Sequence, residues 1–217
     1  MTDCINTVKY RLAKRNDAGQ LARLHWEASK IQPSSFMFKL GKCFLKKYYD
    51  CILDEYNSII LCAVDQNESV IGFVSGSLDN SERIKTLHRN KFALFISTIP
   101  QIAKNPFIVK DILSRYMSQS ANKENGYVVF EGPHEDFWAW RADVKLGNGA
   151  ILLHLTWLKI MRSLGVDFVR GEVDIDNKTI LRIHKFLGAR IIKEYITPDS
   201  RQRKIIEYNL AEIEDQL

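Results

Sequence analysis

Apolar positions along this chain follow two different periods, and segments of the two kinds alternate. Runs of β-branched and aromatic residues between turn residues predict strands at Tyr10–Ala13, Ile59–Val64, Val70–Ser77, Phe137–Trp140, Val166–Asp174, Arg190–Ile196 and Lys204–Leu210. Apolar residues three and four positions apart predict a helix that opens at Asp17, with Gln20 completing a capping box, and helices over Leu40–Tyr56, Gly149–Leu164 and Asn177–Leu187. This alternation predicts an α/β fold, a mixed sheet covered by helices.

Residues 80–126 depart from the alternation. Asn80–Leu87 is polar, Phe92–Ile102 and Phe107–Tyr116 have helical spacing, and 118–126 is a polar linker. The stretch is too short to bury a core of its own. We therefore expect one domain over 1–217, with a helical insertion at about 80–126 between the third and fourth strands.

Composition narrows the class of protein. The 217 residues carry a formal net charge of +5, with 46% hydrophobic and 26% charged residues, which excludes a disordered chain. No apolar run reaches the roughly 18 residues of a membrane span, so we expect no membrane partner. The first residues lack the order of a signal peptide, and Cys4, Cys43, Cys51 and Cys62 have neither disulfide nor metal spacing, so we expect a cytoplasmic protein.

A glycine-rich loop lies between a predicted strand and a predicted helix. Its sequence is Lys145-Leu146-Gly147-Asn148-Gly149-Ala150. The two glycines and the alanine have little or no side chain, so the backbone can come close to a ligand there. The following helix directs free N–H groups and its positive dipole end to the same point, which suits a pyrophosphate, and Lys145 adds charge. The alternative is that the two glycines only form a tight turn.

The stretch from Phe137 to Gly188 resembles the GNAT superfamily of acyl-CoA-dependent N-acyltransferases. In that family a [Gln/Arg]-x-x-Gly-x-[Gly/Ala] loop opens a helix, and residues 144–149 match it except that Val144 replaces Gln or Arg. A second signature places a Tyr seven residues after an Asn, followed by a Gly-Phe turn. Here Asn177 and Gly188 match, while His184 replaces the Tyr and Ala189 the Phe.

The resemblance extends to a bacterial subgroup with the same helical insertion, whose members often lie in polysaccharide biosynthesis clusters. Residues 36–49, 70–79 and 91–106 support it. The resemblance implies a mostly antiparallel central sheet with splayed middle strands and helices on both faces. Acetyl-CoA would lie between those strands, and a backbone amide near Ala139 or Trp140 would polarise the thioester carbonyl. The residues expected to bind acetyl-CoA are Ala139, Trp140, Arg141, Lys145, Leu146, Gly147, Asn148, Gly149, Ala150 and Asn177.

Candidate catalytic residues follow from the same resemblance. His184 stands where the family has its general acid; as an imidazolium it would give a rate that rises as pH falls, and the alternative is a packed helix histidine. Glu135 and His134 are the first candidates for the base, ahead of Glu131, Asp136, His25 and Glu27, which are alternatively surface charges or, for His25, a core histidine. His88 and His154 have no ligand set nearby in sequence, so we expect no metal.

Together these features predict an N-acetyltransferase that transfers acetyl from acetyl-CoA directly to a primary amine. The motif region contains no cysteine, which argues against a covalent acyl-enzyme. An amino sugar or nucleotide-linked amino sugar is the leading acceptor, and a protein or peptide N-terminus is the alternative. A non-catalytic CoA- or nucleic-acid-binding protein stays open as the rival, although no basic and aromatic motif favours nucleic acid. The final strand pair leaves a homodimer open.

Overall fold

Among the residues that the structure describes, seven strands form one sheet at the centre of the protein. The computed structural model describes residues 8–30, 36–110, 112–113, 131–197 and 201–214. The strands are β1 Lys9–Leu12, β2 Ser58–Val64, β3 Val70–Ser77, β4 His134–Trp140, β5 Phe168–Asp174, β6 Arg190–Ile196 and β7 Gln202–Asn209. Their order across the sheet is β1-β2-β3-β4-β5-β7-β6, and neighbours are antiparallel except β4 and β5, which are parallel. The predicted mixed, mostly antiparallel sheet is confirmed.

Helices cover both faces of this sheet. They are α1 Ala18–Ser29, α2 Phe36–Leu53, α3 Asn80–Arg89, α4 Lys91–Lys104, α5 Gly149–Ser163, α6 Lys178–Phe186 and α7 Leu210–Glu214. α1 and α2 pack on one face, where Leu21 and Phe73 are fully buried. α5 packs on the other face, where Trp157 and Val169 are fully buried. The site described below therefore has a different set of helices on each side.

The beginning of α1 differs from the prediction. Asp17 makes no capping bond to the helix; its carboxylate instead accepts hydrogen bonds from the Lys14 backbone N–H at 2.7 Å and from the Arg11 guanidinium. The Gln20 side chain accepts from the Val70 N–H at 2.9 Å, so it is not the capping partner either. The predicted capping box is wrong because the Asp17 carboxylate bonds back to residues that precede the helix, and the Gln20 side chain bonds to β3.

Helix α2 also differs from its predicted bounds. It runs from Phe36 to Leu53 and breaks at Gly41, where φ is 85° and ψ is 173°. A β-carbon at Gly41 would lie 3.0 Å from Oε1 of Gln101 on α4. The glycine therefore supplies both the bend and the space in which α4 packs against α2.

The stretch predicted as an insertion is helical in its described part. Between β3 and β4 it forms α3 and α4, with further helical residues at 108–110 and 112–113. The polar segment at Asn80 is itself a helix, because the Asp79 side chain accepts a hydrogen bond from the Ser81 N–H and caps it. The predicted linker at 118–126 lies outside the described residues. None of the helices in the described ranges is long and apolar enough to cross a membrane.

Strand β4 starts earlier than predicted and contains a bulge. It begins at His134 rather than Phe137, so His134 and Glu135 lie within the strand and pair with Ser77 and Gly76 of β3. The register then shifts, since Ser75 pairs with Phe137 and Asp136 is the extra residue. Strand alternation consequently restarts at the bulge: Glu135 faces α5, whereas Asp136 and Phe137 both face the helices on the other side.

A buried arginine joins α3 to the bulge. Arg83 is 2% exposed, and its guanidinium donates to Glu55 at 2.7 Å, to Asp136, and to the Ser58 hydroxyl and the Gly76 carbonyl, each at 3.0 Å. Two carboxylates thus pair with its charge, and the two neutral acceptors each bind a further N–H group. α3 is therefore fixed to β4 next to Glu135.

We predict that Arg83→Met destabilises the protein by about 3–5 kcal/mol, because it leaves two buried carboxylates without their cation. The free energy of unfolding in urea measures this. The matched control is Lys85→Met on the same helix, which removes an exposed pair with Glu82 and should leave the unfolding curve unchanged. Equal curves for both variants would contradict the anchoring role of Arg83.

Candidate active site

The parallel strands β4 and β5 separate after only two paired positions. His134 pairs with Arg170 and Glu135 with Gly171, and the described residues show no further pairing between these strands. Backbone N–H and C=O groups of β4 beyond Glu135 are thus left without a strand partner on this side. The two strands enclose an opening that widens toward Trp140.

The direction of the β4 amides decides between the two predicted donors. The Arg141 N–H donates to the Ile71 carbonyl of β3 at 2.8 Å. Because successive pairs in an antiparallel ladder alternate between bonded and non-bonded, the Trp140 N–H one residue earlier points away from β3 and into the opening. The same alternation directs the Ala139 N–H toward β3. Of the two predicted donors, Trp140 has the geometry to polarise a carbonyl in the opening.

The loop after β4 is packed around the Trp140 ring. Its indole N–H donates to the Val144 carbonyl at 2.9 Å, and Val144 is buried in the core. A β-carbon at Gly149 would lie 2.9 Å from the same ring, so a larger residue does not fit without displacing it. Val144 therefore packs as a core residue at the position where the resembled family has a polar one.

The N-terminus of α5 lies at the wide end of the opening. Its N-cap residue, Asn148, makes no side-chain hydrogen bond to the first turn, so the amides of Ala150 and Ile151 have no cap. Gly147 adopts φ 50°, and a β-carbon there would meet nothing within 4 Å. Lys145 is exposed beside it. Free N–H groups, the helix dipole and a lysine thus surround open space, a combination that suits a phosphate.

A cluster of buried polar residues lies where β4 and β5 meet. The Glu135 Oε2 atom on β4 is 3.1 Å from Nε2 of His154 on α5. Nδ1 of His184 on α6 is 2.5 Å from the hydroxyl of Tyr208 on β7. The exposed fractions are 6% for Glu135, 0% for His154, 4% for His184 and 0% for Tyr208, so both pairs are almost completely buried from solvent. Trp138 lies over them, with its ring centroid 4.8 Å from that of His154.

Burial and mutual charge set the protonation states in this cluster. Burial alone would raise the pKa of Glu135, but His154 and His184 outweigh it and hold that pKa below its ordinary 4.5. Burial lowers the pKa of His184 below 6.5, although Glu135 opposes the shift. Burial raises the pKa of Tyr208 well above 10. At neutral pH the cluster therefore contains a carboxylate, a neutral His184 and a protonated phenol.

His154 and Tyr208 were not identified from the sequence. His154 lies in the buried stripe of α5 with Leu153, Trp157 and Met161, and a polar residue in such a stripe was the signal available. Glu135, His154 and His184 each offer a possible metal-ligand atom, and these atoms lie within 4.8 Å of one another. The stated reason for expecting no metal, that His154 has no nearby ligand set, is therefore wrong, whereas the absence of a metal stays a prediction.

Other predicted site residues lie apart from this cluster. His134 Nδ1 is 3.4 Å from Asp136 Oδ1, on the side where Arg83 binds Asp136. Asn177 is the N-cap of α6, and its side-chain oxygen accepts from the Ile180 N–H at 3.3 Å, as expected for a cap. The three aromatic residues of β4 are divided by the sheet: Trp138 and Trp140 pack on the α5 side and Phe137 on the α1 side.

His25 is the core histidine that the sequence left as an alternative to a base. Its ring stacks on Phe137 with centroids 3.5 Å apart, and its Nδ1 is 2.8 Å from the Tyr49 hydroxyl. Burial, opposed by the charge of Asp136, lowers its pKa from 6.5 to about 3. An imidazole that stays neutral in the fold but gains a proton on unfolding makes stability depend on pH.

We predict that His25 contributes full stability above pH 6.5 and that this contribution falls as pH decreases toward 3, because only the unfolded chain takes up the proton. His25→Gln should remove up to about 1.4 kcal/mol per pH unit of that slope. The unfolding free energy at pH 7.5, 5.5 and 4.5 measures it, with the exposed His88→Gln as control. Parallel slopes in the parent and His25→Gln would contradict the prediction.

Comparison with known proteins places this geometry in a known fold. No family model matches the chain, and no curated protein matches it. Among solved structures, it is similar to a Desulfovibrio desulfuricans protein assigned to the GNAT family of acetyltransferases, with TM-score 0.58 and 10% identity over 94% of this chain and 99% of that one. It is also similar to Arabidopsis thaliana NAA60 in complex with acetyl-CoA, with TM-score 0.55 and 13% identity over 93% and 98%.

A third similar structure is the spermidine/spermine N-acetyltransferase SpeG from Vibrio cholerae, with TM-score 0.54 and 10% identity over 97% of this chain and 98% of that one. Identities this low establish the arrangement of the backbone rather than the activity. Three observations indicate the same fold: the parallel strands that separate, the helices on both faces of the sheet, and matches that cover more than nine tenths of the chain. The chain has the GNAT acetyltransferase fold.

Proposed function

We propose that this protein is an N-acetyltransferase that transfers acetyl from acetyl-CoA to a primary amine. The observation that carries the proposal is the opening between β4 and β5, with the uncapped N-terminus of α5 at its wide end and ionisable residues at its narrow end. The likeness to NAA60, whose structure contains acetyl-CoA, supports the same use of the opening.

The residues around the opening fit acetyl-CoA. In the proposed complex the pyrophosphate accepts hydrogen bonds from the first free amides of α5 near Ala150, and the space beside Gly147 admits it. Lys145 adds a positive charge at the rim. The thioester carbonyl accepts from the Trp140 N–H, a kind of contact that contributes roughly 3–4 kcal/mol in other acyl-transfer enzymes. Acetyl-CoA supplies the acyl group; the chain binds and orients it.

Glu135 is the proposed base, and His154 holds it in position. The pKa of Glu135 lies below 4.5, so its carboxylate is ionised at neutral pH and is free to accept the proton that the amine loses as the new C–N bond forms. The His154 Nε2–H donates to the carboxylate and fixes the oxygen that accepts it. Of the two residues ranked first from the sequence, Glu135 is therefore the proposed base. His134 instead contacts Asp136.

His184 is proposed to act as a neutral hydrogen-bond donor. In the proposed arrangement the Tyr208 hydroxyl is the donor to Nδ1 of His184, which assigns the proton of the neutral ring to Nε2. That N–H can donate to the sulfur as the C–S bond breaks, and the thiolate then takes up a proton from solvent. The rate should therefore not rise as pH falls toward 6.5, in contrast to what an imidazolium acid would give.

The proposed acceptor is an amino sugar or a nucleotide-linked amino sugar. One support is the sequence resemblance to the subgroup with the helical insertion. A second is the position of that insertion, because Arg83 fixes α3 to the bulge next to Glu135. The insertion would then border the acceptor side of the opening. We further propose a cytoplasmic location, and a homodimer stays a prediction.

The cofactor site is tested by calorimetry with acetyl-CoA. We predict that Gly147→Trp weakens binding by at least about tenfold, because the indole fills the space beside the free amides and removes charge-assisted hydrogen bonds. Gly165→Trp is the matched control: it lies at the other end of α5, also has positive φ, and also has nothing within 4 Å of its β-carbon position. Equal weakening in both variants would indicate lost folding instead.

The reaction is tested by thiol release from acetyl-CoA with a panel of amines: amino sugars, nucleotide-linked amino sugars, spermidine and a peptide with a free N-terminus. We expect the highest kcat/KM with an amino sugar, and a fall in kcat on the order of 10²–10⁴ in Glu135→Gln with acetyl-CoA affinity retained. The control is Glu194→Gln, an exposed residue on the edge strand β6. Affinity for acetyl-CoA without thiol release on any amine would favour the non-catalytic rival.

A further inference from the structure

Helix α4 exposes a continuous row of large apolar side chains. The exposed fractions are 73% for Phe92, 54% for Phe95, 62% for Ile96 and 51% for Ile99. These positions are spaced by three, one and three residues, so they lie on one side of the helix. We call these four residues the α4 face. Phe107, just beyond the helix end, is 82% exposed as well.

The opposite side of α4 is packed normally. Leu94 and Thr98 are buried there, and Gln101 contacts the bend of α2 at Gly41. The helix is therefore held in place while its outer side is apolar, whereas a surface helix ordinarily presents polar residues to water. An apolar surface of this kind marks a contact with something other than water.

The charged residues of α4 itself and of the segment that follows it as far as Lys110 are all basic. Residues 83–110 contain no Asp or Glu, and their basic residues are Arg83, Lys85, Arg89, Lys91, Lys104 and Lys110. Arg83 is buried in its own ion pairs, and Glu82 pairs with Lys85 and Arg89. Lys91 and Lys104, at the two ends of α4, and Lys110 are exposed. Three exposed lysines thus border the apolar row.

We propose that the α4 face is a docking site for an anionic phospholipid surface, on which the protein lies without spanning the bilayer. A basic border with Phe and Ile at its centre fits lipid headgroups around acyl chains. Lysine stems can extend along the apolar surface while their ammonium groups reach the phosphates. A second copy of this chain fits less well, because two such faces would bring like charges together. The proposal does not depend on acyl transfer.

Vesicle sedimentation of the full chain tests the proposal. We expect binding to vesicles of phosphatidylcholine with 30 mol% phosphatidylglycerol at least about tenfold stronger than to phosphatidylcholine alone, since each lysine near the surface contributes about fivefold. About 0.5 M salt should remove most of this difference.

Two pairs of matched variants separate the apolar and the charged contributions. Phe95→Glu/Ile99→Glu should lower binding by at least about tenfold, while Ile191→Glu/Ile196→Glu, equally exposed on the edge strand β6, should not. The double variant Lys91→Glu/Lys104→Glu should also lower vesicle binding by at least about tenfold. Its control is Lys159→Glu/Lys193→Glu, at two exposed lysines elsewhere, which should leave binding unchanged. Thermal unfolding monitored by circular dichroism checks that each variant is folded.

Three results would overturn the proposal. The first is no binding to either vesicle, and the second is equal loss in the α4 variants and their controls. The third is light scattering in which the parent is a dimer and Phe95→Glu/Ile99→Glu a monomer, without vesicle binding, which would assign the α4 face to a second copy of the chain.

Discussion

The separation of β4 from β5 is the constraint on which the rest of the site depends. Two parallel strands that pair at His134 and Glu135 and then diverge leave an unpaired row of backbone groups inside the sheet. Such groups are costly unless something binds them. In the proposed complex acetyl-CoA provides that partner. Its hydrogen bonds would then satisfy the backbone groups that the gap in the sheet leaves unpaired. The loop around Trp140 then places the first turn of α5 at the wide end of the gap.

The bulge at Asp136 has a second consequence, because it places Asp136 and Phe137 on the same face of the sheet and so fixes the face of every later residue of β4. Glu135 meets His154 on one face, and Asp136 meets Arg83 on the other. Each buried carboxylate has its own partner, which is the condition for burying charge at all. Without the extra residue, every side chain of β4 beyond it would change face. The bulge thus connects the anchoring of α3 to the chemistry of the site.

The two exceptional regions of the molecule break the usual rules in opposite ways. The cluster around Glu135 and His184 places polar groups where an apolar core is expected, and the α4 face places apolar groups where a polar surface is expected. Stability alone favours neither arrangement. The proposed lipid contact departs from the expectation of no membrane partner, which rested on the lack of a long apolar run in the sequence. A helix that lies on a bilayer needs an apolar side with a basic border rather than such a run.

The sequence by itself determined the order of the strands and of the helices outside the insertion, the mixed sheet and the glycine loop before α5, because periodicity and turn residues are local properties. Only the tertiary structure decided the bulge at Asp136, the direction of the Trp140 amide and the pairing of Glu135 with His154. Those features depend on register and on contacts between residues far apart in the chain. His184 and Tyr208 are 24 residues apart, yet they share a hydrogen bond, since β7 returns next to β5. No periodicity in a single segment contains that information.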